Sequence, residues 1–208
     1  MSQDAVVPDT REALLQAGRK LFSDKGFDGA SVRDITAGAG ANLGAITYHF
    51  GSKEALYEAV VSSTIAPLAE RLMATVGGPG DPLDRVEGVV REYFAYLMDY
   101  PEMPRLFIRS LLASGMPPAP AQEHLKRVLA ALVGLIREGQ AIGRIRPGHP
   151  ALMALGLMSH SLHLTIMRPA LARMAGFDLD DPTQRGIALD HIVRTVRGGL
   201  ALGQEGPA

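Results

Sequence analysis

The sequence contains no cysteine and no tryptophan, and aromatic residues make up only 5% of it. Without cysteine, disulfide bonds, thiolate metal ligands and thiol nucleophiles are excluded. A reducing compartment is the natural setting for such a chain, and we therefore expect a cytoplasmic protein.

Signals for secretion and membrane insertion are also missing. The first ten residues, MSQDAVVPDT, carry two acidic residues and no basic segment, which argues against a secretory signal. No run of about 18 uninterrupted apolar residues occurs, so we expect neither a membrane-spanning segment nor a membrane partner.

The overall charge is small. The formal net charge is −1 over 208 residues, of which 47% are hydrophobic. This balance argues against a protein that coats nucleic acid non-specifically, although a local patch that binds nucleic acid is compatible with it. A chain of this length can bury a sizeable core in one large domain or two small ones.

Strand signals are nearly absent, because apolar and polar residues do not alternate over any long stretch. Helical spacing recurs instead, and the segment GGPGDP at residues 77–82 interrupts it most clearly. The sequence therefore predicts an all-α fold with a small N-terminal head and a larger helical body. Body helices are predicted at about 83–99, 103–114, 119–142, 150–175 and 182–202.

The start of the chain predicts a helix with a defined end. In TREALLQAGRKLFSDKGF the apolar residues follow helical spacing as far as Phe22. Gly26 then stands where a helix end favours a left-handed residue, and Phe27 is placed to pack back on Phe22.

Capping signals predict three further helices in close succession. Ser31 and Asp34 form a capping box that opens the first of them. Asn42 is predicted as the N-cap of the next helix, which runs to about Phe50, and Ser52 caps a longer one. Short helices joined by tight turns are the layout that a helix-turn-helix requires.

Helical spacing divides the helix that ends near Phe50 into two faces. The residues predicted to face inward are Leu43, Ile46 and Phe50. Those predicted to face outward are Gly44, Ala45 and Tyr48, with Thr47 and His49 on the flanks. Small residues would let the backbone approach base edges in a major groove, while methyl and hydroxyl groups contact thymine methyls and phosphates. An ordinary solvent-facing helix shows the same pattern.

Lys53 lies at a predicted helix N-terminus, where partial positive charge makes a cation unfavourable. Free amide groups together with a lysine form a binding site for a phosphate, to which Tyr48 and His49 could also donate. A solvated surface lysine, offset by the adjacent Glu54, is the alternative.

The segment TREALLQAGRKLFSDKGFDGASVRDITAGAGANLGAITYHFGSKEALYEAV resembles the DNA-binding domain of the tetracycline-repressor (TetR) family of transcriptional regulators. The resemblance covers roughly residues 10–60, about a quarter of the chain, and depends on LFSDKGFDGASVRDIT, YHFGSKEAL and the spacing between them. It implies a homodimer whose paired recognition helices bind a palindromic double-stranded DNA operator, and a repressor that a small-molecule effector releases.

The resemblance also implies a domain organisation and a set of DNA contacts. Residues 1–9 form a disordered N-terminal tail, residues 10–56 the helix-turn-helix domain, and residues 57–208 the regulatory and dimerisation domain. The implied DNA contacts are Ser31 and Arg33 from one helix, Asn42, Leu43, Gly44, Ala45, Thr47, Tyr48 and His49 from the recognition helix, and Lys53 as the phosphate ligand.

The recognition segment NLGAIT departs from strong base-reading chemistry. Apart from Arg33 and Asn42, no side chain here matches the bidentate arginine–guanine or asparagine–adenine geometry. We therefore expect much of the sequence specificity to come from methyl contacts and DNA shape.

Apolar stripes in the body indicate core packing, and the resemblance implies in addition a cavity among these helices for an effector. The candidate effector-binding residues are Phe94, Leu97, Met98, Phe107, Leu111, His160 and His163. His160 and His163 stand at metal-ligand spacing, but no acidic or cysteine partner lies near them in sequence, so no metal site is predicted. For Arg105 and Arg109 we expect an internal carboxylate partner rather than an acidic ligand.

The last two helices are apolar over more than one stripe, which implies burial on two sides. The resemblance implies that they pair with their symmetry mates in a dimer, with Ala154, Gly156 and Ser159 permitting close approach. A helix fully buried within one protomer is the alternative. Pro67 falls inside the helix that joins head to body, and we interpret it as a bend through which body motion reaches the head.

Other functional classes find little support. No nucleophile–base pair, phosphate-binding loop or metal cluster indicates an enzyme, and no cofactor is expected. A helical protein-interaction module, or an activator with the same fold, is the alternative to a repressor.

Overall fold

A computed structural model describes residues 9–202. This range forms nine α-helices and no β-strand. The helices are α1 (Thr10–Gly29), α2 (Val32–Gly38), α3 (Ala45–Phe50), α4 (Lys53–Val76), α5 (Pro82–Asp99), α6 (Glu102–Ser114), α7 (Ala119–Ala141), α8 (Pro150–Ala175) and α9 (Pro182–Leu200). The predicted all-α fold is confirmed. The predicted disordered tail, apart from Asp9, lies outside the described residues.

The body helices begin where proline is favoured at a first helical position. Pro82, Pro150 and Pro182 each stand at the start of a helix, because their missing amide would have no partner there. Asp81 and Asp181 precede two of them and accept backbone N–H bonds of 2.9 Å. The prolines and these caps explain why the predicted starts of α5, α8 and α9 agree with the structure to within one residue.

Two compact units divide the chain. The first extends to Ala66 and also contains Arg105–Gln122; the second contains Pro67–Pro104 and the chain from Glu123 onward. The predicted boundary after residue 56 differs from this division. The physical reason is packing, because Val60 and Leu106 belong to the apolar cluster of the first unit.

The first unit is organised around a core shared by α1, α2, α3 and the start of α4. Its buried residues are Leu14, Leu15, Phe22, Ala30, Ile35, Ala45, Ile46, Leu56, Val60 and Leu106. Gly26 has a φ of 76°, which permits the break in α1, and the Phe22 and Phe27 rings lie 6.1 Å apart. The predicted stop at Gly26 and its aromatic contact are therefore confirmed, although α1 resumes as far as Gly29.

The second unit packs α5 against α8 and α9. The α5 residues Val86, Val89, Val90, Tyr93, Phe94 and Leu97 are buried. Burial raises the pKa of the Tyr93 hydroxyl. Polar links join the helix ends: Arg85 binds the Glu138 carboxylate at 2.9 Å, and Arg197 pairs with Asp84 at 3.2 Å and with Glu87.

Candidate nucleic-acid interface

The interface begins at the N-terminus of α2, where the predicted capping box is confirmed. The Ser31 hydroxyl accepts the backbone N–H of Asp34 at 3.0 Å. Hydrogen bonding from the Ser31 side chain, followed by the Lys25 ammonium 3.3 Å away, lowers the pKa of the Asp34 carboxyl. Ser31 therefore has a structural partner in addition to any role at DNA, whereas no described residue pairs with the exposed Arg33.

The start of α3 lies later than predicted. Its N-cap is Gly44, and Leu43 and Gly44 form a turn in which the Ala45 N–H bonds to the Asn42 carbonyl at 3.1 Å. The prediction that Asn42 caps this helix is therefore wrong, because an intervening turn separates it from the first helical residue. The Asn42 side chain is left exposed.

Two residues at the start of α3 differ from their predicted environments. Ile46 is buried and Phe50 packs against the core of the first unit, as predicted. Ala45 is only 7% exposed, so its predicted outward position is wrong. Leu43 is 62% exposed, so its predicted inward position is wrong. Leu43 lies in the turn rather than in the helix, and helical spacing does not describe it.

The remaining predicted contact residues form an exposed surface, apart from His49 and Lys53, which are half-buried. Its members are Ser31, Arg33, Asn42, Leu43, Gly44, Thr47 and Tyr48, and we call it the α2–α3 surface. Tyr48 is 85% exposed, and its ring lies edge-on to that of His49 with centroids 4.9 Å apart. No aspartate or glutamate occurs between Ile35 and Ser52, so this part of the surface carries no charge that repels phosphate.

Lys53 is the first residue of α4, as predicted. Its ammonium lies 4.3 Å from the centroid of the Phe27 ring, a cation–π contact that partly compensates for its position at a helix N-terminus. The adjacent Ser52 caps the helix by accepting the Ala55 N–H at 3.1 Å, which confirms the predicted cap. Backbone hydrogen bonding, followed by a bond from Ser52, lowers the pKa of Glu54.

Aromatic contacts hold α4 against α1 and so fix the position of Lys53. The Tyr57 ring meets Phe22 at 5.1 Å and Phe27 at 5.3 Å, both edge-on. Burial raises the pKa of the Tyr57 hydroxyl, with a smaller opposing effect from Arg109. The lysine is thus held on a rigid element.

Arg11 is a further cation that the sequence analysis did not identify. Its guanidinium lies 5.1 Å from the centroid of the Phe50 ring, at the C-terminal end of α3. It is exposed and belongs to the first turn of α1. The contact joins residues far apart in sequence, and no local pattern could have revealed it.

The predicted internal carboxylate partner is confirmed for Arg105, whereas the internal partner of Arg109 is a backbone carbonyl. Arg105 lies 3.6 Å from the Asp24 carboxylate, and Arg109 donates to the Asp24 carbonyl at 3.0 Å. A Cβ atom at Gly26 would lie 2.9 Å from the Arg109 guanidinium. Glycine is favoured here by its positive φ, whereas the flexible Arg109 side chain could move away from an added Cβ atom.

The predicted effector-binding residues divide between the two units. Phe107 and Leu111 belong to the first unit and are partly buried; Phe94, Leu97 and Met98 are buried in the second. His160 and His163 are exposed on α8, and the His160 ring lies 6.2 Å from that of His191. No group of three or more side chains suited to a metal ion occurs between residues 9 and 202.

Helix α8 is apolar and largely uncovered. By length and composition alone it could cross a membrane, although the sequence predicted no such segment, and 22% of its most apolar window is buried. The large exposed apolar residues of α8 and α9 are Leu152, Leu155, Ile166, Met167, Met174 and Ile187. The alternative of a helix fully buried in one protomer is therefore excluded. Gly156 and Ser159 are exposed as well, whereas Ala154 is buried and was wrongly assigned to the outer face.

Comparisons with known proteins match both parts of the chain. Residues 14–60 match the family described as bacterial regulatory proteins, tetR family. Residues 82–196 match the family described as tetracyclin repressor-like, C-terminal domain. The first match contains the α2–α3 surface and Lys53, and the second contains α5 to α8 and most of α9.

Curated relatives cover most of the chain. The HTH-type transcriptional repressor NicS of Pseudomonas putida is 31% identical over 160 residues, which are 75% of this chain and 69% of the relative. The HTH-type transcriptional regulator RutR of Escherichia coli K12 is 27% identical over 194 residues, 91% of this chain and 90% of the relative.

Solved structures share the fold. A bacterial regulatory protein in the tetR family from Rhodococcus RHA1 superposes with a TM-score of 0.77 at 17% identity, covering 94% of this chain and 99% of the other. The ketosteroid transcriptional regulator of Mycobacterium tuberculosis gives a TM-score of 0.72 at 20% identity, covering 94% and 96%.

Proposed function

This chain belongs to the tetR family of bacterial regulatory proteins and is a DNA-binding transcriptional regulator, not an enzyme. From that premise we propose that it is a cytoplasmic repressor. In this proposal a homodimer binds a palindromic operator until a small-molecule effector releases it. The observation that carries the proposal is the α2–α3 surface, which is exposed and has no acidic residue between Ile35 and Ser52.

On this proposal α3 enters a major groove. Arg33 and Asn42 supply donors to base edges, and Thr47 offers both a methyl and a hydroxyl group. Tyr48 and Lys53 contact phosphates on the flanks, while His49 is half-buried beside Tyr48. Ala45 contributes no side chain to the contact because it is packed against the core.

The exposed apolar residues of α8 and α9 support dimerisation. Side chains such as Leu155 and Ile187 are large and uncovered in a single chain, and an apolar surface of this kind favours association. A second copy of the same two helices would cover them in a four-helix interface. The two N-terminal heads of one dimer then bind two half-sites about 34 Å apart.

Effector control is proposed to act through the body. The residues Phe94, Leu97, Met98, Phe107, Leu111, His160 and His163 remain the candidates for contact with an apolar or amphipathic molecule. A preference of only about 1–3 kcal/mol for the form that does not bind DNA lets such an effector change operator affinity about 5- to 150-fold.

Selection of bound fragments from a pool of random duplexes tests the proposal. The expected result is a palindromic site with two half-sites one helical turn apart, bound by two copies of the chain. Recovery of a single half-site would overturn the homodimer part of the proposal. Recovery of no sequence above background would favour a protein-interaction module with the same fold.

The sign of regulation needs a separate measurement. A promoter carrying the selected site should be silenced when the chain is expressed and active when it is absent. Higher transcription in the presence of the chain would identify an activator instead.

A further inference from the structure

Leu43 is a large apolar side chain placed outside the core. Residues on both sides of it pack inward: Ala41 contacts the apolar cluster of the first unit, and Ala45 and Ile46 belong to it. Leu43 lies in the turn between them and is 62% exposed. A single exposed leucine needs no explanation on an ordinary surface, but this one lies within the surface proposed to enter the major groove.

The chemistry of Leu43 differs from that of its exposed neighbours. Asn42, Thr47 and Tyr48 all carry hydrogen-bonding groups, whereas Leu43 can make only apolar contacts. The base edges of a B-DNA major groove present donors and acceptors at every base pair, and the C5 methyl group of thymine is their one apolar feature. A leucine side chain there has one favourable partner and leaves any donor or acceptor opposite it unpaired.

The local backbone permits a close approach to that methyl group. Gly44 follows Leu43 and has no side chain, and both residues are exposed. The nearest heavy atom to a Cβ placed on Gly44 would be the Asn42 side-chain oxygen at 3.4 Å, so no bulky group covers the turn. No acidic residue occurs from Ile35 to Ser52, so the turn itself carries no charge that repels phosphate.

We propose that Leu43 is a specificity-determining residue that recognises a pyrimidine C5 methyl group at one position of each operator half-site. This inference rests on the proposed function. Leucine cannot distinguish the donor of cytosine from the acceptor of thymine, so it selects for the methyl group rather than for the base pair. At this position thymine is therefore favoured over uracil, and 5-methylcytosine over cytosine, by a similar factor.

The first step of the test is a methyl scan of the selected operator. Each thymine of a half-site is replaced in turn by deoxyuridine, which removes only the methyl group. Loss of one methyl contact is expected to weaken binding about four-fold per half-site, and about fifteen-fold when both half-sites are changed. The sensitive position is then rebuilt in both half-sites with thymine, 5-methylcytosine, uracil or cytosine.

Leu43→Ala is the decisive variant, and Leu112→Ala is its matched control. Leu112 is a leucine of α6 that is 82% exposed and lies outside the α2–α3 surface. The wild type and Leu112→Ala are expected to bind thymine about fifteen-fold more tightly than uracil, and 5-methylcytosine about fifteen-fold more tightly than cytosine. In Leu43→Ala each of these two ratios is expected to fall to within about two-fold. Circular dichroism confirms that the variants fold.

Three results would contradict the proposal in distinguishable ways. If the ratios of thymine to uracil and of 5-methylcytosine to cytosine are the same in the wild type and in Leu43→Ala, another side chain reads that methyl group. If uracil scanning finds no sensitive position although the operator is bound tightly, Leu43 does not read a methyl group and the DNA-binding function stands. If no duplex is bound at all, the proposed function fails together with this inference.

Discussion

Within α3, two small side chains lie in opposite environments. Ala45 is packed among the residues of the core, whereas Thr47, two positions later, is exposed. The alanine and threonine side chains differ little in size. Substituting leucine at each position therefore separates an effect on stability from an effect on DNA binding.

Ala45→Leu is expected to destabilise the protein by about 1–3 kcal/mol, because the additional carbons must enter a packed core. Thr47→Leu is expected to change the free energy of unfolding by less than about 0.5 kcal/mol while weakening operator binding. Urea unfolding followed by circular dichroism measures the first effect, and operator titration the second. Equal stability of the two variants would show that Ala45 is not held in the core.

Local sequence predicted the two serine helix caps but not the burial of every residue near them. Ser31 and Ser52 were identifiable as caps because each needs only a backbone N–H three residues away. The position of Leu43 was not, because spacing arguments assume that the helix has already begun, and Leu43 lies in the turn before α3. Ala45 lies inside α3, and its burial comes from tertiary packing against the core of the first unit, which spacing along one helix does not encode.

At the scale of elements, α4 crosses the boundary between the two compact units. That boundary falls between Ala66 and Pro67. Proline has no N–H, so the Ser63 carbonyl lacks its usual helical donor. One turn earlier, the hydroxyls of Ser63 and Thr64 both donate to the Val60 carbonyl, at 3.0 and 2.7 Å, a pattern that tends to bend helices. The helix therefore lacks one backbone hydrogen bond where the two units divide.

Pro67→Ala is expected to slow amide hydrogen exchange across residues 63–67, because the restored N–H completes the helical ladder. If α4 bends here during regulation, operator affinity or effector response must change as well. Pro169→Ala, which restores an amide inside α8, controls for the general effect of removing a helical proline. Slower exchange with unchanged operator affinity and effector response would rule out Pro67 as a regulatory bend.

Element boundaries in the body could be predicted because breakers and caps mark them in the sequence. The starts at Pro82, Pro150 and Pro182 each combine a favourable first residue with a preceding turn. Membership of the compact units could not be predicted in this way. Residues 105–122 join the first unit through long-range contacts such as that of Leu106 with the core, and no local pattern encodes them.

For the whole molecule, the exposed apolar surface of α8 and α9 predicts obligatory pairing of two chains. Leu155 is 55% exposed in one protomer, so a charge placed there does not disturb the protomer core. In a dimer it would lie in an apolar interface, where an unpaired charge is strongly unfavourable.

Leu155→Glu is therefore expected to give a folded monomer that has lost operator affinity. Sedimentation velocity measures the mass, and circular dichroism measures the helical content. Leu112→Glu introduces the same charge on α6 and is expected to remain dimeric. A Leu155→Glu variant that sediments as a stable dimer would place the interface elsewhere.

The central claim, that the surface from α2 to Lys53 binds a DNA backbone, is tested most directly by the salt dependence of operator binding. The logarithm of the association constant should fall linearly with the logarithm of salt concentration, with a slope of about 0.9 per phosphate contacted. Lys53→Gln should reduce that slope by about 2, one contact for each subunit. Lys126→Gln, at an exposed lysine paired with Glu123, should leave it unchanged. A slope near zero, or one that Lys53→Gln and Lys126→Gln alter equally, would contradict the account.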